Sequence, residues 1–264
     1  METTFQNVRT DTRRDNPLRT VARLTAVELR VMVREPMVLI GLLGLPVVAM
    51  LVIAGVFGQT PDQEFGGVAP DDYYIAGYLG VVLASLGLVT LPVHIATARE
   101  LGVTRRYRAS GLSAGALVAS QVLLGVVLGV VSTAIVLAVG SAVYEIRTPI
   151  DPAGVGMWFA AGLICYMAIG GALGLVAPTA RAANAIGNLL FLPTFLLAGG
   201  GPPRGVMSGP MQTISDLIPL SHVTSGLRRD WLGATDAHIV AWWPVLVCLV
   251  AVAAAVWVAN RRAV

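Results

Sequence analysis

Six long apolar stretches constrain this chain more than any other feature of its sequence. A transmembrane helix needs about 20 consecutive, predominantly apolar residues. The stretches that meet this requirement are residues 37–57, 73–98, 114–144, 153–177, 183–200 and 239–259. The sequence therefore predicts an all-α polytopic membrane protein with six transmembrane helices.

The composition excludes a soluble protein. Hydrophobic residues make up 56% of the chain and charged residues only 12%, whereas a soluble domain carries about 25% charged residues. All 18 basic residues are arginine. This excludes a P-loop, because that nucleotide-binding motif requires a lysine to hold the phosphates. If the protein works with ATP, the ATPase is another chain.

The distribution of arginine predicts the orientation of the spans. One side of the membrane receives fourteen arginines, in the N-terminal tail, the loop after the second span, the turn at Arg181 and the C-terminal tail. The other side receives four, which are Arg147, Arg204, Arg228 and Arg229. Because arginine accumulates in cytoplasmic loops, we expect a multi-pass plasma-membrane protein with both termini in the cytoplasm.

The chain divides into three parts on this basis. Residues 1–36 form a cytoplasmic tail that ends in an amphipathic helix, residues 37–259 form the transmembrane domain, and residues 260–264 form a second cytoplasmic tail. The first 35 residues contain no apolar h-region, so no cleavable signal peptide is expected. The first span itself is expected to drive insertion.

A basic helix is predicted at residues 17–35, directly before the first span. Arg19, Arg23, Arg30 and Arg34 fall on one narrow stripe of this helix, with apolar residues opposite. Such a helix lies on the membrane surface, held by apolar burial and by anionic lipid headgroups. The alternative is a positively charged flank with no further role.

The cytoplasmic loop between the second and third spans covers residues 98–113 and is predicted to form a short amphipathic helix. A membrane protein without its own motor needs a rigid element of this kind to receive force from a partner. On these residues alone, a coupling helix and a simple positively charged anchor are equally good interpretations.

Residues 205–238 do not fit a simple span. Two prolines, Pro210 and Pro219, and several charged residues, among them Arg228, interrupt the segment. A charged, proline-broken segment cannot face lipid in the bilayer core. The apolar residues between the charges favour short re-entrant helices that dip into the outer leaflet against protein and return. An ordinary extracellular loop is the alternative.

Polar and small residues inside the spans are few. Asn184 and Asn188 lie one helical turn apart at the start of the fifth span, where they either bond to a neighbouring helix or face a cavity. Two glycine pairs have a spacing that predicts close packing between helices of the same chain. These pairs are Gly125 with Gly129 and Gly170 with Gly174.

No Asp, Glu, Arg or Lys lies in the middle of any predicted span. A proton- or ion-coupled secondary transporter needs such groups as relays or binding sites, so the sequence argues against that class. Cys165 and Cys248 lie in apolar runs, and the three histidines are far apart. No disulfide, metal site or intramembrane enzyme is therefore predicted.

The loop at residues 98–113 resembles the ABC-2 type permease family, the membrane subunits of one large group of ABC exporters. That family carries a pattern close to Arg-Glu-x-Gly at this place, followed by Leu-Arg-x-Thr-Pro-Leu-Ser. Gly111 replaces the proline, which keeps a turn possible, and Tyr107 replaces the first leucine. The matching residues are Arg99, Glu100, Gly102, Arg108, Leu112 and Ser113.

A second likeness to the family lies before the last span. Ile218 stands where the family has asparagine, and His222 stands where it has tyrosine. Together with the basic helix and the six spans, the resemblance covers nearly the whole chain. The matching residues are Pro193, Gly199, Pro203, Gln212, Ile214, Pro219, Leu220, Ser221, Leu227 and Arg228.

The resemblance implies a permease subunit, not an enzyme, of an ATP-driven exporter for a hydrophobic or amphipathic cargo such as an antibiotic or a lipid. It implies that a separate ABC ATPase chain binds ATP and Mg, and that this chain binds no cofactor. A second permease copy or a homologous permease would complete the transporter. Membrane lipids are expected partners, and nucleic acids are not.

The resemblance also assigns roles to two groups of residues and leaves a third open. Asn184 and Asn188 serve either the transport pathway or helix packing. Two other functions stay open: an ATP-independent secondary transporter, and a non-transporting permease-like partner subunit. The ATPase-coupling loop comprises Arg99, Glu100, Gly102, Arg105, Arg106 and Arg108, and the outer re-entrant gate comprises Pro203, Gln212, Pro219, His222 and Arg228.

Overall fold

The computed structural model describes residues 17–34, 36–103, 114–144 and 146–234, together with the isolated positions 242, 245–246, 249–250 and 253. Within these residues the secondary structure is helical, apart from one isolated bridge between Asp62 and Val68. The predicted all-α class is therefore confirmed for the described part of the chain.

Nine α-helices form the described structure, numbered here in chain order. A π-helical turn, Leu86–Thr90, joins the third and fourth helices into one continuous rod. Short 3-10 turns occur at Gln63–Phe65 and Arg204–Val206. The helices are α1 (Pro17–Val33), α2 (Pro36–Phe57), α3 (Pro70–Ser85), α4 (Leu91–Glu100), α5 (Ala114–Val143), α6 (Pro152–Val176), α7 (Ala180–Ala198), α8 (Gly209–Leu217) and α9 (Pro219–Leu232).

Four of the predicted spans are confirmed. Among the described residues, four helical stretches are long and apolar enough to cross a membrane, namely Pro70–Glu100, Gly115–Val143, Pro152–Val176 and Ala180–Ala198. They coincide with the predicted second to fifth spans within three residues at each end. α2 (Pro36–Phe57) covers the predicted first span, and its part Pro46–Phe57 is apolar.

The predicted sixth span, residues 239–259, lies outside the described residues except at a few isolated positions. The total of six spans and the division into domains at residues 36 and 259 stay predictions.

Local capping explains where α6 and α7 begin. Asp151 precedes α6, and its carboxylate accepts hydrogen bonds from the backbone N–H groups of Ala153 and Gly154, both at 3.1 Å. Thr179 precedes α7 and accepts from the N–H of Ala182 at 3.0 Å. These side chains satisfy backbone donors that the first turn of a helix leaves free. Because α6 ends at Val176 and α7 begins at Ala180, a turn of only a few residues joins the two spans.

α3 is the central helix of the bundle. Nearly all of its residues are buried, and it packs against α2, α5, α6 and α9. A helix that is apolar on every side requires neighbours on every side. α7 is the opposite case, since Leu189 and Leu192 are 74% and 59% exposed. Its apolar outer face is left for lipid or for another chain.

Glycine allows the closest helix contacts. A β-carbon at Gly170 in α6 would overlap the backbone carbonyl of Gly87 in the π-helical turn. In α5, β-carbons at Gly125 and Gly129 would meet Met167 and Leu163 of α6. The prediction that the glycine pairs serve packing within one chain is thus confirmed.

α1 has the two faces that its sequence predicts. Arg19 and Arg30 are exposed, whereas Thr25 and Met32 are buried. The buried face lies on α5, where the Thr25 hydroxyl donates to the carbonyl of Ser120 at 3.2 Å. α1 is therefore a structured helix that is fixed to the bundle, and its position on the membrane surface stays a prediction.

Candidate functional site

The residues singled out by sequence lie at two ends of the helical bundle. One end holds the end of α4 with the turns around it, and the other holds the helix pair α8–α9. α6 connects the two ends, because its last turn meets α4 and its first turn meets the end of α9.

Arg99 closes the last turn of α6. Its Nη1 atom donates to the carbonyls of Gly174, Leu175 and Ala177 at 2.9, 2.7 and 3.0 Å. The last carbonyls of a helix lack partners within the helix, and they carry the negative end of its dipole. Arg99 therefore ties the end of α4 to the end of α6, a contact that sequence reasoning did not identify.

The rest of the predicted coupling loop follows α4 directly. Glu100 is the final residue of α4 and is exposed, and Gly102 adopts a left-handed φ of 65° that turns the chain. The structure thus places Arg99 and Glu100 at the end of a spanning rod, not on a separate loop helix. Arg105, Arg106 and Arg108 lie outside the described residues.

Asn184 and Asn188 bond to each other within α7. The Nδ2 atom of Asn188 donates to both the backbone oxygen and the Oδ1 atom of Asn184, each at 2.8 Å. Both side chains are exposed. They are therefore not buried between the described helices of this chain, and the choice between the two predicted roles stays a prediction.

At the opposite end, Arg204 holds the turn before α8. It forms a two-pronged ion pair with Asp216, with nitrogen–oxygen distances of 2.6 and 2.9 Å. Gln212 donates to the carbonyls of Arg204 and Met207 at 3.3 and 3.0 Å. Pro203 directly precedes this turn. The predicted gate residues Pro203 and Gln212 thus lie in one segment that is held together by hydrogen bonds and an ion pair.

α9 packs into the bundle along most of its length. Pro219 occupies its first turn, and Leu220, Val223 and Leu227 are fully buried. The Nε2 atom of His222 lies 2.9 Å from the carbonyl oxygen of Asp216. In contrast, Met211, Ile214 and Leu217 on α8 are exposed. The segment is therefore helical and packed, while its insertion into the outer leaflet stays a prediction.

Arg228 is the buried centre of this end. Its Nε atom donates to the carbonyl of Tyr73 at 3.1 Å, and its Nη2 atom donates to the carbonyl of Gly199 at 3.1 Å. The guanidinium carbon lies 3.5 Å from the centroid of the Tyr73 ring, a cation–π contact. One side chain thus joins α9, α3 and the end of α7.

Two ion pairs lie at the same end of the bundle as Arg228. Asp72 pairs with Arg147 at 3.3 Å, and Asp230 pairs with Arg229 at 2.6 Å. The hydrogen bond to Asp230 raises the pKa of Arg229. Sequence reasoning assigned no role to these pairs, although the two adjacent aspartates at the start of a span were a visible signal.

Backbone hydrogen bonds join the start of α6 to the end of α9 at this end of the bundle. The N–H of Asp151 donates to the carbonyl of Asp230 at 2.7 Å, and the N–H of Ile150 donates to the carbonyl of Trp231 at 3.1 Å. The indole of Trp231 donates to the carbonyl of Arg147 at 2.7 Å. A displacement of α6 would therefore move the end of α9 with it.

Comparison with known families matches residues 20–229 to the ABC-2 type transporter. The chain belongs to the ABC-2 type transporter family. The match runs from α1 into the last turns of α9, so it includes both ends described above. The family consists of multi-pass membrane subunits of ABC transporters, which are not themselves catalytic and work with an ABC ATPase subunit.

One relative supports the assignment to this family. A protein of Bacillus subtilis (strain 168) named as the transport permease YvfS is 25% identical to this chain over 169 residues. The alignment covers 64% of this chain and 67% of YvfS.

The packing of α9 predicts resistance to trypsin added at this side of the membrane. We expect no cleavage after Arg228 or Arg229, because proteases need locally unfolded chain and both residues lie inside a packed helix. Gel analysis of reconstituted protein measures this. A Gln59→Arg variant, with a new site in the exposed 58–64 loop, is the accessible control. Equal cleavage rates at the two places would contradict the packed assignment.

Proposed function

We propose that this ABC-2 permease is the membrane half of an ATP-driven exporter that moves a hydrophobic or amphipathic molecule out of the cell. A separate ATPase chain would bind ATP and Mg, and two permease chains would form the pathway. The observation that carries the proposal is the family match across residues 20–229, which includes the predicted coupling loop.

The contacts of α6 support a route for the force. ATP binding would close the ATPase dimer and displace the loop after Glu100. Arg99 would pass that displacement to the end of α6, and the backbone bonds of Asp151 and Ile150 would carry it to α9 at the other end. The permease supplies only the difference in cargo affinity between two states, and the nucleotide supplies the drive.

The character of the spans supports the cargo class. Between their polar ends, the described spans present apolar side chains, with the amide pair of Asn184 and Asn188 exposed on α7. A second copy facing α7 would enclose these amides in a largely apolar pathway. Such a wall suits a cargo that is apolar over most of its surface and carries few polar groups.

Reconstitution of the protein with a candidate ABC ATPase from the same organism tests the function. We expect a stable complex whose ATP hydrolysis exceeds that of the ATPase alone, and ATP-dependent movement of an amphipathic dye across the vesicle. Glu100→Ala should preserve the complex and reduce the stimulated hydrolysis several-fold. Glu28→Ala on α1 is a control for the loss of a carboxylate.

The other functions give different results. An ATP-independent transporter would move the dye without any ATPase and would form no complex with one. A non-transporting partner subunit would bind the ATPase and leave transport unchanged when Glu100 is replaced. Either result would overturn the proposal.

The proposed orientation has its own test. In a background with Cys165 and Cys248 replaced by alanine, a membrane-impermeant thiol reagent should label Glu64→Cys from outside intact cells and should not label Leu101→Cys. Both positions are exposed, so accessibility depends only on the side of the membrane. The reverse labelling pattern would invert the topology.

A further inference from the structure

A small, partly open cavity lies where α7, α8 and α9 meet. Its volume is about 30 Å³, and its lining includes Arg204, Asp216, His222, Ser225 and Arg228. A single water requires about 10–15 Å³ by the same measure. The cavity therefore has room for a single ion of halide size or for about two waters.

Two arginines, Arg204 and Arg228, but only one carboxylate, Asp216, line the cavity. Each of three outer arginines pairs with a carboxylate: Arg147 at 3.3 Å, Arg204 at 2.6 Å and Arg229 at 2.6 Å. Arg228 is the most buried of the four, at 6% exposure. Within the described residues, no carboxylate oxygen lies within 4 Å of its guanidinium nitrogens. A buried charge is costly unless an opposite charge compensates it.

Unused hydrogen-bond donors line the same cavity. A guanidinium group has five N–H donors, and Arg228 uses only those of Nε and Nη2 on the carbonyls of Tyr73 and Gly199. The Nε atom of Arg204 also has no hydrogen-bond partner among the described residues, but it is fully enclosed and is not accessible to a ligand. Asp216 is engaged by the other two nitrogens of Arg204. Arg228 thus has N–H donors left for a ligand, and the carboxylate that lines the cavity, Asp216, is already neutralised.

We propose that this cavity binds one small inorganic anion of halide size, with chloride as the physiological ligand. The anion accepts a hydrogen bond from Arg228 and neutralises its charge, which has no carboxylate partner among the described residues. Because Arg228 joins α9 to α3 and α7, the bound anion fixes the helix pair α8–α9 on the bundle. The proposal does not depend on the transport function.

Purified protein in detergent tests the site by thermal unfolding. Chloride is titrated against gluconate at constant ionic strength, because gluconate carries the same charge and is too large for the cavity. We expect a saturable rise of Tm with chloride and with bromide and none with gluconate. Equilibrium dialysis with radiolabelled chloride should show about one ion per chain.

Adjacent arginines provide a matched pair of variants. Arg228→Gln should weaken the apparent chloride affinity by about tenfold or more, since a hydrogen bond to a charged group contributes about 1.5–3 kcal/mol. Arg229→Gln removes an exposed arginine with its own carboxylate partner and should leave the titration unchanged. If Arg228→Gln does not fold, Ser225→Val fills the cavity without a change of charge and should weaken chloride binding.

The wild-type titration decides the proposal by itself. No difference between chloride and gluconate, or no bound radiolabelled chloride, would show that water fills the cavity and would overturn the proposal. A chloride effect of equal size in Arg228→Gln would place the ion elsewhere and would overturn it as well.

Discussion

Replacing Gly170 by alanine should lower the Tm of the protein by roughly 5 °C, a large effect for one methyl group. The added β-carbon would overlap the carbonyl of Gly87, which belongs to the backbone and cannot rotate away. Overpacking of this kind costs about 1–3 kcal/mol, and in a protein of this size each kcal/mol lowers Tm by about 2–4 °C.

Gly171 is the matched control, one residue along the same helix. A β-carbon there meets only the Cγ2 atom of Val122, at 3.9 Å, which is an ordinary contact. Gly171→Ala should therefore leave Tm unchanged or raise it slightly, because alanine is favoured over glycine in a helix by about 1 kcal/mol. Thermal unfolding of both variants in detergent measures the difference. Equal Tm values would mean that α6 and the π-helical turn are farther apart than described.

The sequence predicted the second to fifth spans because their signal is local. Each is an apolar run closed by a proline, a cap or a charge, as at Asp151 and Thr179. The two faces of α1 were predictable for the same reason, since the arginine spacing follows the helical period. The glycine pairs pointed to packing within the chain, and the structure adds their partners.

The tertiary contacts were not predictable, because they join residues far apart in the chain. Arg99 looked like one of several cytoplasmic charges, and only the fold brings it to the carbonyls of α6. The family motif named Arg228, but its carbonyl partners lie 155 and 29 residues away. The π-helical turn Leu86–Thr90 has no distinctive residue pattern, and backbone packing around Gly87 determines its surroundings.

If the proposed function holds, replacing Arg99 by alanine should uncouple the permease from the ATPase with which it is reconstituted. The change removes the hydrogen bonds that tie the end of α4 to the carbonyls of Gly174, Leu175 and Ala177. If α6 receives its displacement through this contact, ATP hydrolysis stimulated by the permease should fall about five- to tenfold, which corresponds to a loss of about 1–1.4 kcal/mol. The amount of ATPase that co-purifies should not change, because the carbonyl contacts lie within the permease.

Arg181→Ala is the control, because Arg181 is exposed in the first turn of α7, the helix that directly follows α6. It removes the same charge near the same end of the bundle without touching the α4–α6 contact. Arg99→Lys keeps the charge but presents one nitrogen on a shorter stem, so it should recover only part of the stimulated hydrolysis. If Arg99→Ala and Arg181→Ala behave alike, Arg99 acts only as one positive charge among several, and force must reach α6 by another contact. If Arg99→Lys is fully active, the charge and not the longer reach of the guanidinium is what α6 requires.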